Sequence, residues 1–364
     1  MEYNWQQKDW PSFCFDLSGV EEALFAFVDK AGQVNGMLKG LPDATRMEAT
    51  LQIMIAEAMK TSEIEGEYLS RQDVMSSMRN QLGLNDPHER VKDTVSEGAA
   101  ELMVATRDAW AEPLNEAMLF SWHSMLMKGT RGVDKVGAWR TGETRMQVVS
   151  NPYGNQKVHF EAPPSSRVPE EMKGFVDWFN GSENTIVHAP VRAAIAHLYF
   201  ESIHPFEDGN GRIGRAISEK AISQGLGRPA VLSLSRTIEA KKNRYYDALE
   251  DAQKSNEISS WIRYFVEVAL VAQEDAERQV EFVLRKTKFF DCFRSDLNDR
   301  QLKVVRRMLD EGPDGFEGGM NARKYISIVK TSKATATRDL QRLVELGVLE
   351  PHGGGRSTRY RLLV

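Results

Sequence analysis

The sequence has only two cysteines in 364 residues, Cys14 and Cys292, and they lie far apart, outside any CxxC or Cys/His cluster. A disulfide framework is therefore excluded, and no structural zinc site is expected. No apolar run approaches the roughly 20 residues that span a bilayer. The first ten residues have neither the basic nor the apolar stretch of a signal peptide. These absences predict a cytoplasmic protein without a membrane segment.

The chain also lacks an overall positive charge. Its formal net charge is -5, with 41% apolar and 27% charged residues, which is typical of a soluble folded protein and not of a general polyanion binder. The length predicts two or three domains. The charge is uneven, because nine lysines and arginines face three acids from Met320 onward. That segment is a candidate nucleic-acid surface.

Apolar spacing predicts mostly helices. Residues 47–66 follow one apolar helical face and end at Gly66. Two short β-prone runs, 146–149 and 157–160, flank a turn-forming segment at 151–155 and predict a β-hairpin. Residues 189–203 predict a long buried helix that ends just before His204.

The last block, residues 296–364, predicts three helices followed by a hairpin. The helices cover about 300–309, 323–329 and 332–346, with Ser332 as the N-cap of the third. Two strand-like runs follow around a Gly-Gly-Gly segment. This order is that of a winged helix-turn-helix.

A glycine-rich turn, Asp208-Gly-Asn-Gly211, precedes an expected helix from about Arg212. Loop amides together with a helix N-terminus form an anion site. Arg212 and Arg215 share a face of the first turn, where cations oppose the helix dipole unless an anion compensates them. The pattern indicates a di- or triphosphate.

The same segment supplies a metal ligand and a base. Asp208 offers a carboxylate for Mg²⁺ beside the phosphates, and His204 can accept a proton at neutral pH. Taken singly, a histidine before proline is more often structural, Gly-Asn-Gly is usually a turn, and paired arginines usually face solvent. The conjunction within twelve residues favours chemistry on a nucleotide phosphate.

Residues 204–215 resemble the Fic signature His-Pro-Phe-x-Asp/Glu-Gly-Asn-Gly-Arg-x-x-Arg at every constrained position. Trp139-Arg140, the hairpin that ends in Pro-Pro and Tyr245-Tyr246 also resemble Fic proteins, so the likeness covers about residues 47–270. It implies a mainly α fold, a Fic helical bundle with a β-hairpin flap, whose catalytic domain spans residues 96–290. Residues 1–95 form an N-terminal helical region.

The resemblance implies transfer of AMP from ATP to a Ser, Thr or Tyr hydroxyl of a target protein or of the chain itself, with Mg²⁺. His204 would be the base, Asp208 the metal ligand and Phe206 a loop anchor. Binding of the nucleotide phosphates would involve Gly209, Asn210, Gly211, Arg212, Gly214 and Arg215. Tyr245 and Tyr246 would border adenine. The flap that pairs with a target peptide would be Val158, His159, Phe160 and Glu161.

An inhibitory helix is implied as well. Thr61-Ser-Glu-Ile-Glu65-Gly66 resembles the motif Ser/Thr-x-x-x-Glu-Gly/Asn, in which Glu65 would pair with Arg215 at the γ-phosphate position. The alternative is an ordinary surface carboxylate. Some relatives use this glutamate to remove AMP, and that activity stays open.

Alternative functions concern the last block of the chain and the identity of the donor. DNA binding by the last block would use Lys333, Thr335, Thr337, Arg338 and Arg342, with Arg356 and Arg359 on the wing. The competing interpretation is a protein-docking or dimerisation module. The chain could then be a DNA-binding regulator that uses the Fic fold as a nucleotide sensor, and a third possibility is a different donor, since relatives transfer phosphocholine, UMP or phosphate. We expect a homodimer.

The first forty residues have no assigned function. Their aromatic residues are expected in the core: Trp5, Trp10, Phe13, Phe15, Phe25 and Phe27.

Overall fold

The structure is a computed structural model that describes residues 2–143, 145–150, 157–313, 315–354 and 357–363. The turn predicted at 151–155 and the wing residue Arg356 lie outside the described residues. The fold is mainly helical, as predicted. Two compact units divide the chain, one of Met1–Gly32 with Thr50–Asp275 and one of Gln33–Ala49 with Ala276–Val364. None of the helices in the described ranges is both long and apolar enough to cross a membrane.

The N-terminal helices begin later than the sequence suggests. A short 3-10 helix at Asn4–Gln6 precedes a non-helical stretch, and the first α-helix starts only at residue 21. Phe25 is 78% exposed, so its expected core position is wrong, whereas Phe27 is fully buried. The cause is helical geometry, because neighbouring positions differ by about 100° and only one face can turn inward. The helices are α1 Glu21–Lys39, α2 Asp43–Ile64, α3 Arg71–Gln81, α4 Thr94–Asp108 and α5 Glu116–Leu126.

The predicted hairpin is present. Strands β1 Gln147–Ser150 and β2 Lys157–Glu161 pair antiparallel, with a register shift between Val148 and Val149. Phe160 is buried, whereas Val158, two residues earlier on the same strand, is 41% exposed. The register shift falls between these two residues and interrupts the regular alternation of inward and outward side chains.

The centre of the first unit is the pair of helices α7, Ala189–Ile203, and α8, Asn210–Leu226. All fifteen residues of Ala189–Ile203 are buried, which explains why apolar residues occupy every face of α7. Asn210–Leu226 starts two residues earlier than predicted because the left-handed Gly209 is its N-cap. The remaining helices are α6 Val168–Gly181, α7 Ala189–Ile203, α8 Asn210–Leu226, α9 Leu234–Glu239, α10 Lys242–Ala252 and α11 Ser259–Phe293.

The C-terminal elements follow the predicted order. Ser332 caps α14 by accepting a hydrogen bond from the Thr335 amide, as expected. Leu340, Leu343 and Val348 lie in the core of this unit. The elements are α12 Asp299–Leu309, α13 Ala322–Val329, α14 Lys333–Glu345, β3 Leu349–His352 and β4 Arg359–Leu362, the two strands being antiparallel. The winged-helix assignment itself stays a prediction.

Candidate active site

His204 stands at the end of α7 in a left-handed conformation, with φ 50° and ψ 60°. Arg140 fixes this turn. Its Nε donates to the His204 carbonyl at 2.7 Å and its Nη2 to the Pro163 carbonyl at 2.6 Å, while its amide donates to the Pro205 carbonyl at 3.0 Å. Burial lowers the pKa of Arg140 to about 10, so it stays charged at neutral pH. Arg140 therefore holds the turn that carries the predicted base from outside the signature.

The loop after His204 is closed by Asn210. Its Oδ1 accepts from the Phe206 amide at 2.9 Å, and its Nδ2 donates to the Phe206 carbonyl at 2.9 Å. Both polar ends of the side chain are thus engaged, which leaves the backbone amide of Asn210 for a phosphate. Phe206 is fully buried and stacks on His123 at 4.1 Å, as expected of an anchor.

The first two turns of α8 carry two arginines, Arg212 and Arg215, each only 1% exposed. Arg215 donates from Nε to Thr61 Oγ1 at 2.8 Å and from Nη2 to the Thr61 carbonyl at 2.9 Å and Glu65 Oε1 at 2.7 Å. Burial opposes its charge, but Glu65 outweighs this and the pKa of Arg215 is raised. The predicted Glu65–Arg215 pair is therefore present in the structure.

A second carboxylate, Glu67, was missed by the sequence analysis. It forms an ion pair with Arg212 Nη1, and Arg212 Nη2 lies 3.4 Å from Asp208 Oδ1. Burial raises the pKa of Glu67, although Arg212 counteracts it. The only signal in the sequence was an acid two residues beyond Glu65. Both arginines at the start of α8 are thus paired with the segment that follows α2.

Two glycines of α8 allow close approach of carboxylates. A Cβ at Gly211 would lie 2.2 Å from Glu65 Oε1, and one at Gly214 would lie 2.7 Å from Glu201 Oε1. Gly211 thus makes room for the predicted inhibitory glutamate. Gly214 lies toward Glu201 and His197, so the structure gives it a packing contact, and its role with phosphate stays a prediction.

Behind His204 lies a buried polar cluster. Glu201 Oε2 is 3.5 Å from His204 Nδ1, and Glu201 is 4% exposed. His197 Nε2 is 2.8 Å from the Tyr245 hydroxyl. Burial raises the pKa of Tyr245 and lowers that of His197. Tyr245 is 2% exposed, and its contact with His197 links α10 to α7. Only the edge of its ring is therefore available to a nucleotide in the predicted pocket.

A cavity of about 500 Å³ opens in front of these residues. His204, Gly211 and Glu65 line its floor, and β1 and β2 border it together with Tyr246, which is 37% exposed. The Tyr246 hydroxyl donates to the Ile64 carbonyl at 3.2 Å. The cavity brings the predicted base, one predicted phosphate-binding glycine and the predicted inhibitory residue together.

The flap residues differ in availability. His159 Nδ1 lies 2.5 Å from Glu250 Oε2, and this contact is the main reason that the pKa of Glu250 is lowered. Phe160 is 1% exposed and packs on Tyr3 at 5.0 Å, so its side chain is not free to meet a peptide. The carbonyl of Glu161 accepts from the Trp5 indole at 2.7 Å.

Helix α14 carries most of the residues predicted to contact DNA on its exposed surface. Lys333, Thr337, Arg338 and Arg342 are exposed on α14, while Thr335 is half-buried. Asp339 on the same helix is buried instead. It accepts from Arg300 Nε at 2.9 Å and from the Tyr325 hydroxyl at 2.9 Å.

A metal site of three or more His, Cys, Asp or Glu side chains does not occur among the described residues. Asp208 is compatible with another kind of site, in which Mg²⁺ is bound by one carboxylate and its other ligands are phosphate oxygens and water. Its side chain is 49% exposed at the start of α8. The donor set therefore fits Mg²⁺ carried by a nucleotide better than a dedicated metal site.

Two family models match the chain: a domain of unknown function, DUF4172, over residues 3–84, and the Fic/DOC family over residues 113–221. The chain carries a Fic domain. This match contains the complete signature at 204–215.

Curated relatives agree with the Fic assignment. A protein adenylyltransferase of Caenorhabditis elegans is 35% identical over 27% of this chain and 18% of its own length. A probable protein adenylyltransferase of Aquifex aeolicus is 32% identical over 26% of this chain and 27% of its own length. The chain thus spans less than a third of these relatives.

Solved structures share the fold. A Fic family protein from Desulfovibrio desulfuricans superposes with a TM-score of 0.52 at 23% identity, covering 94% of this chain and 96% of the other. Fic-1 from C. elegans superposes with a TM-score of 0.51 at 19% identity, covering 74% of each chain. The Fic fold is therefore common to these proteins.

Proposed function

We propose that the chain is a protein adenylyltransferase that transfers AMP from ATP to a hydroxyl side chain of a protein. The observation that carries the proposal is the pair Arg212 and Arg215, both almost fully buried near the N-terminus of α8, which begins beside the cavity that Gly211 and His204 line. Buried arginines at a helix N-terminus require anions. The names of the curated relatives support the same activity.

The site fits a triphosphate. Among the described residues, Arg212 Nε and Arg215 Nη1 are buried without a hydrogen-bond partner, so each arginine keeps a donor for an incoming oxygen. The amides at the start of α8 add further donors. Arg212 would bind the β-phosphate and Arg215 the γ-phosphate, as the family resemblance implies.

Mg²⁺ would be held by Asp208 together with phosphate oxygens. When bound, it neutralises phosphate charge and favours departure of pyrophosphate. Asp208 also accepts from the Gly209 amide at 2.6 Å, which holds the carboxylate at the mouth of the loop.

The reaction would be an in-line displacement. The target hydroxyl oxygen forms a bond to the α-phosphorus, the bond to the β-phosphate oxygen breaks, and pyrophosphate leaves. His204 takes the hydroxyl proton, and the α8 amides with the two arginines stabilise the charge on the phosphates. The edge of β2 that does not pair with β1 would hold the target segment by strand pairing.

We propose that this activity is held off by Glu65. Its carboxylate occupies Arg215 at 2.7 Å, where the γ-phosphate would bind, and Glu67 occupies Arg212. Productive ATP binding then requires both carboxylates to be displaced. Reversal of the modification by the same glutamate remains a further possibility, which assay with AMP-modified protein would reveal.

The decisive experiment is mass spectrometry of Glu65→Gly protein incubated with ATP and Mg²⁺. We expect a mass increase of one AMP on the chain or on added protein, and none with the Glu65→Gly/His204→Ala double variant. Absence of AMP on any protein of a cell extract treated with Glu65→Gly chain would contradict the proposal.

DNA binding is a second candidate. The exposed residues Lys333, Arg338 and Arg342 on α14 support it, since a recognition helix needs such residues outside its buried face. A gel shift with genomic fragments, repeated at rising salt, tests it. We expect affinity to fall with salt, and to weaken in Arg338→Ala. Absence of any shift at low salt would leave the docking interpretation.

A further inference from the structure

Glu201 is a buried carboxylate that the proposed chemistry has not used. It lies in the last turn of α7, is 4% exposed, and precedes His204 by three residues. Its Oε2 is 3.5 Å from His204 Nδ1. Carboxylates are almost never buried without a charged partner, so this placement needs a reason.

Its neighbours are already engaged elsewhere. Arg215 on α8 hydrogen-bonds to Thr61 and Glu65, and His197 on α7 lies between the Tyr245 hydroxyl of α10 at 2.8 Å and Ser218 Oγ at 3.3 Å. These are the charged and titratable groups that face the cluster from α2, α7, α8 and α10.

Two atoms remain. In the described part of the chain, Glu201 Oε1 and His204 Nδ1 are both buried and lack a hydrogen-bond partner.

The burial of Nδ1 decides which edge of the imidazole can react. The His204 side chain is 17% exposed and lines the cavity, while Nδ1 is enclosed on the side of Glu201. Proton transfer with a substrate must therefore occur at Nε2. For Nε2 to be a proton acceptor in the neutral ring, the proton must sit on Nδ1, and that proton needs an acceptor.

We propose that Glu201 is a positioning residue that accepts the Nδ1 proton of His204, fixes the tautomer in which Nε2 is free, and stabilises the imidazolium formed on proton transfer. This role rests on the proposed function of His204 as base. The same division of tasks operates wherever a buried carboxylate orients a catalytic histidine.

The charge of Glu201 and the space around it agree with this role. Burial favours the neutral carboxyl, but the proximity of His204, His197 and Arg215 outweighs it and lowers the pKa of Glu201, so the group is an anion at neutral pH. The separation of 3.5 Å exceeds a good hydrogen bond, and such bonds are often long before substrate binds. Gly214 provides the space, because a Cβ there would lie 2.7 Å from Glu201 Oε1.

The first test needs no activity. The full chain is labelled with ¹⁵N-histidine, and the His204 resonance among seven histidines is assigned by its loss in His204→Ala. We expect the Nδ1-protonated tautomer in the wild type and a shift toward the Nε2-protonated tautomer in Glu201→Ala. Glu250→Gln, which removes another carboxylate of the same cavity that pairs with His159, is the matched control and should leave the tautomer unchanged.

A wild-type chain with the proton of His204 on Nε2 would overturn the proposal. So would an unchanged tautomer in the isosteric variant Glu201→Gln together with Glu201→Ala. The wild-type spectrum decides even if Glu201→Ala does not fold.

The second test uses the Glu65→Gly background, in which the proposed activity is expected to be released. We expect Glu201→Ala to reduce AMP labelling by about 10- to 1000-fold with unchanged ATP affinity. In Glu201→Gln, the acidic limb of the pH–rate profile should move to lower pH by about one unit, because loss of a nearby negative charge destabilises the protonated ring.

Unchanged labelling and an unchanged profile would refute the role. If Glu65→Gly itself labels nothing, the proposed function fails, while the tautomer measurement still decides whether Glu201 orients His204.

Discussion

Release of Arg215 is the prediction that most directly tests the arrangement at the start of α8. In Glu65→Gly, Arg215 loses one charge-assisted hydrogen bond at 2.7 Å but keeps both contacts with Thr61. The helix end should therefore stay in place while the γ-phosphate position becomes free.

The size of the effect follows from that bond. A hydrogen bond to a charged group contributes about 1.5–3 kcal/mol, and the Glu65 side chain is only 29% exposed, so little of this is lost to screening. Its removal should raise AMP transfer by roughly 10- to 150-fold at subsaturating ATP, since about 1.4 kcal/mol corresponds to a factor of ten.

The assay compares initial rates of labelling from labelled ATP in wild type, Glu65→Gly and the matched control Glu63→Gly. Glu63 pairs with Lys60 at 2.6 Å and contributes no hydrogen bond to Arg215. We expect a large rise only in Glu65→Gly. Equal rates in wild type and Glu65→Gly, or an equal rise in Glu63→Gly, would refute the reasoning.

Nucleotide binding provides an independent readout of the same release. Because Glu65 occupies the expected γ-phosphate position, Glu65→Gly should tighten binding of ATP more than binding of ADP. Calorimetric titration of Glu65→Gly/His204→Ala with each nucleotide measures this without turnover. An equal gain in affinity for ATP and ADP would show that Glu65 does not compete with the γ-phosphate.

Three further predictions concern other contacts. Glu67→Gln should also raise AMP labelling, but by less than tenfold, because Arg212 keeps its contact with Asp208 at 3.4 Å; initial rates measure it, and no rise would limit inhibition to Glu65. Asn210→Ala should lower the free energy of unfolding by about 2–4 kcal/mol in urea titration, because two hydrogen bonds to the backbone are lost, and a loss below 1 kcal/mol would contradict this. Asp339→Asn should destabilise the C-terminal unit by about 2 kcal/mol at pH 7. Burial of Asp339 favours its neutral form, but its hydrogen-bond partners outweigh burial and lower its pKa below 3.8. The difference in free energy of unfolding between wild type and variant should therefore be present at neutral pH and shrink as the pH falls through that lowered pKa. Equal differences at pH 7 and pH 3 would refute the assignment.

Local patterns predicted the elements that carry the chemistry. The apolar run before His204 is a wholly buried helix, the glycine-rich turn begins α8, and Ser332 caps α14. Each depends on neighbours within a few residues, where helical periodicity and capping preferences are strong. The pairing of Glu65 with Arg215 was reached only through resemblance, because 150 residues separate them.

Local sequence patterns could not predict contacts between segments that are far apart in the chain. Glu67 looks like any acid after a helix, yet it pairs with Arg212. Asp339 counts as an acid that offsets the basic C-terminal segment, yet it is buried against Arg300 and Tyr325. Phe25 was expected inside because aromatic residues usually are, and which face of α1 turns inward depends on packing.

The absence of a side chain at Gly211 matters for two proposed properties, inhibition by Glu65 and phosphate binding. The hydrogen at this position leaves space that the Glu65 carboxylate fills at rest, and the proposed phosphates would approach the same surface of α8. A Cβ at Gly211 would force the Glu65 carboxylate to move, and it would stand on the surface that the proposed phosphates approach. One substitution there should therefore weaken both the proposed inhibition and the proposed nucleotide binding, so the two cannot be varied independently at this position.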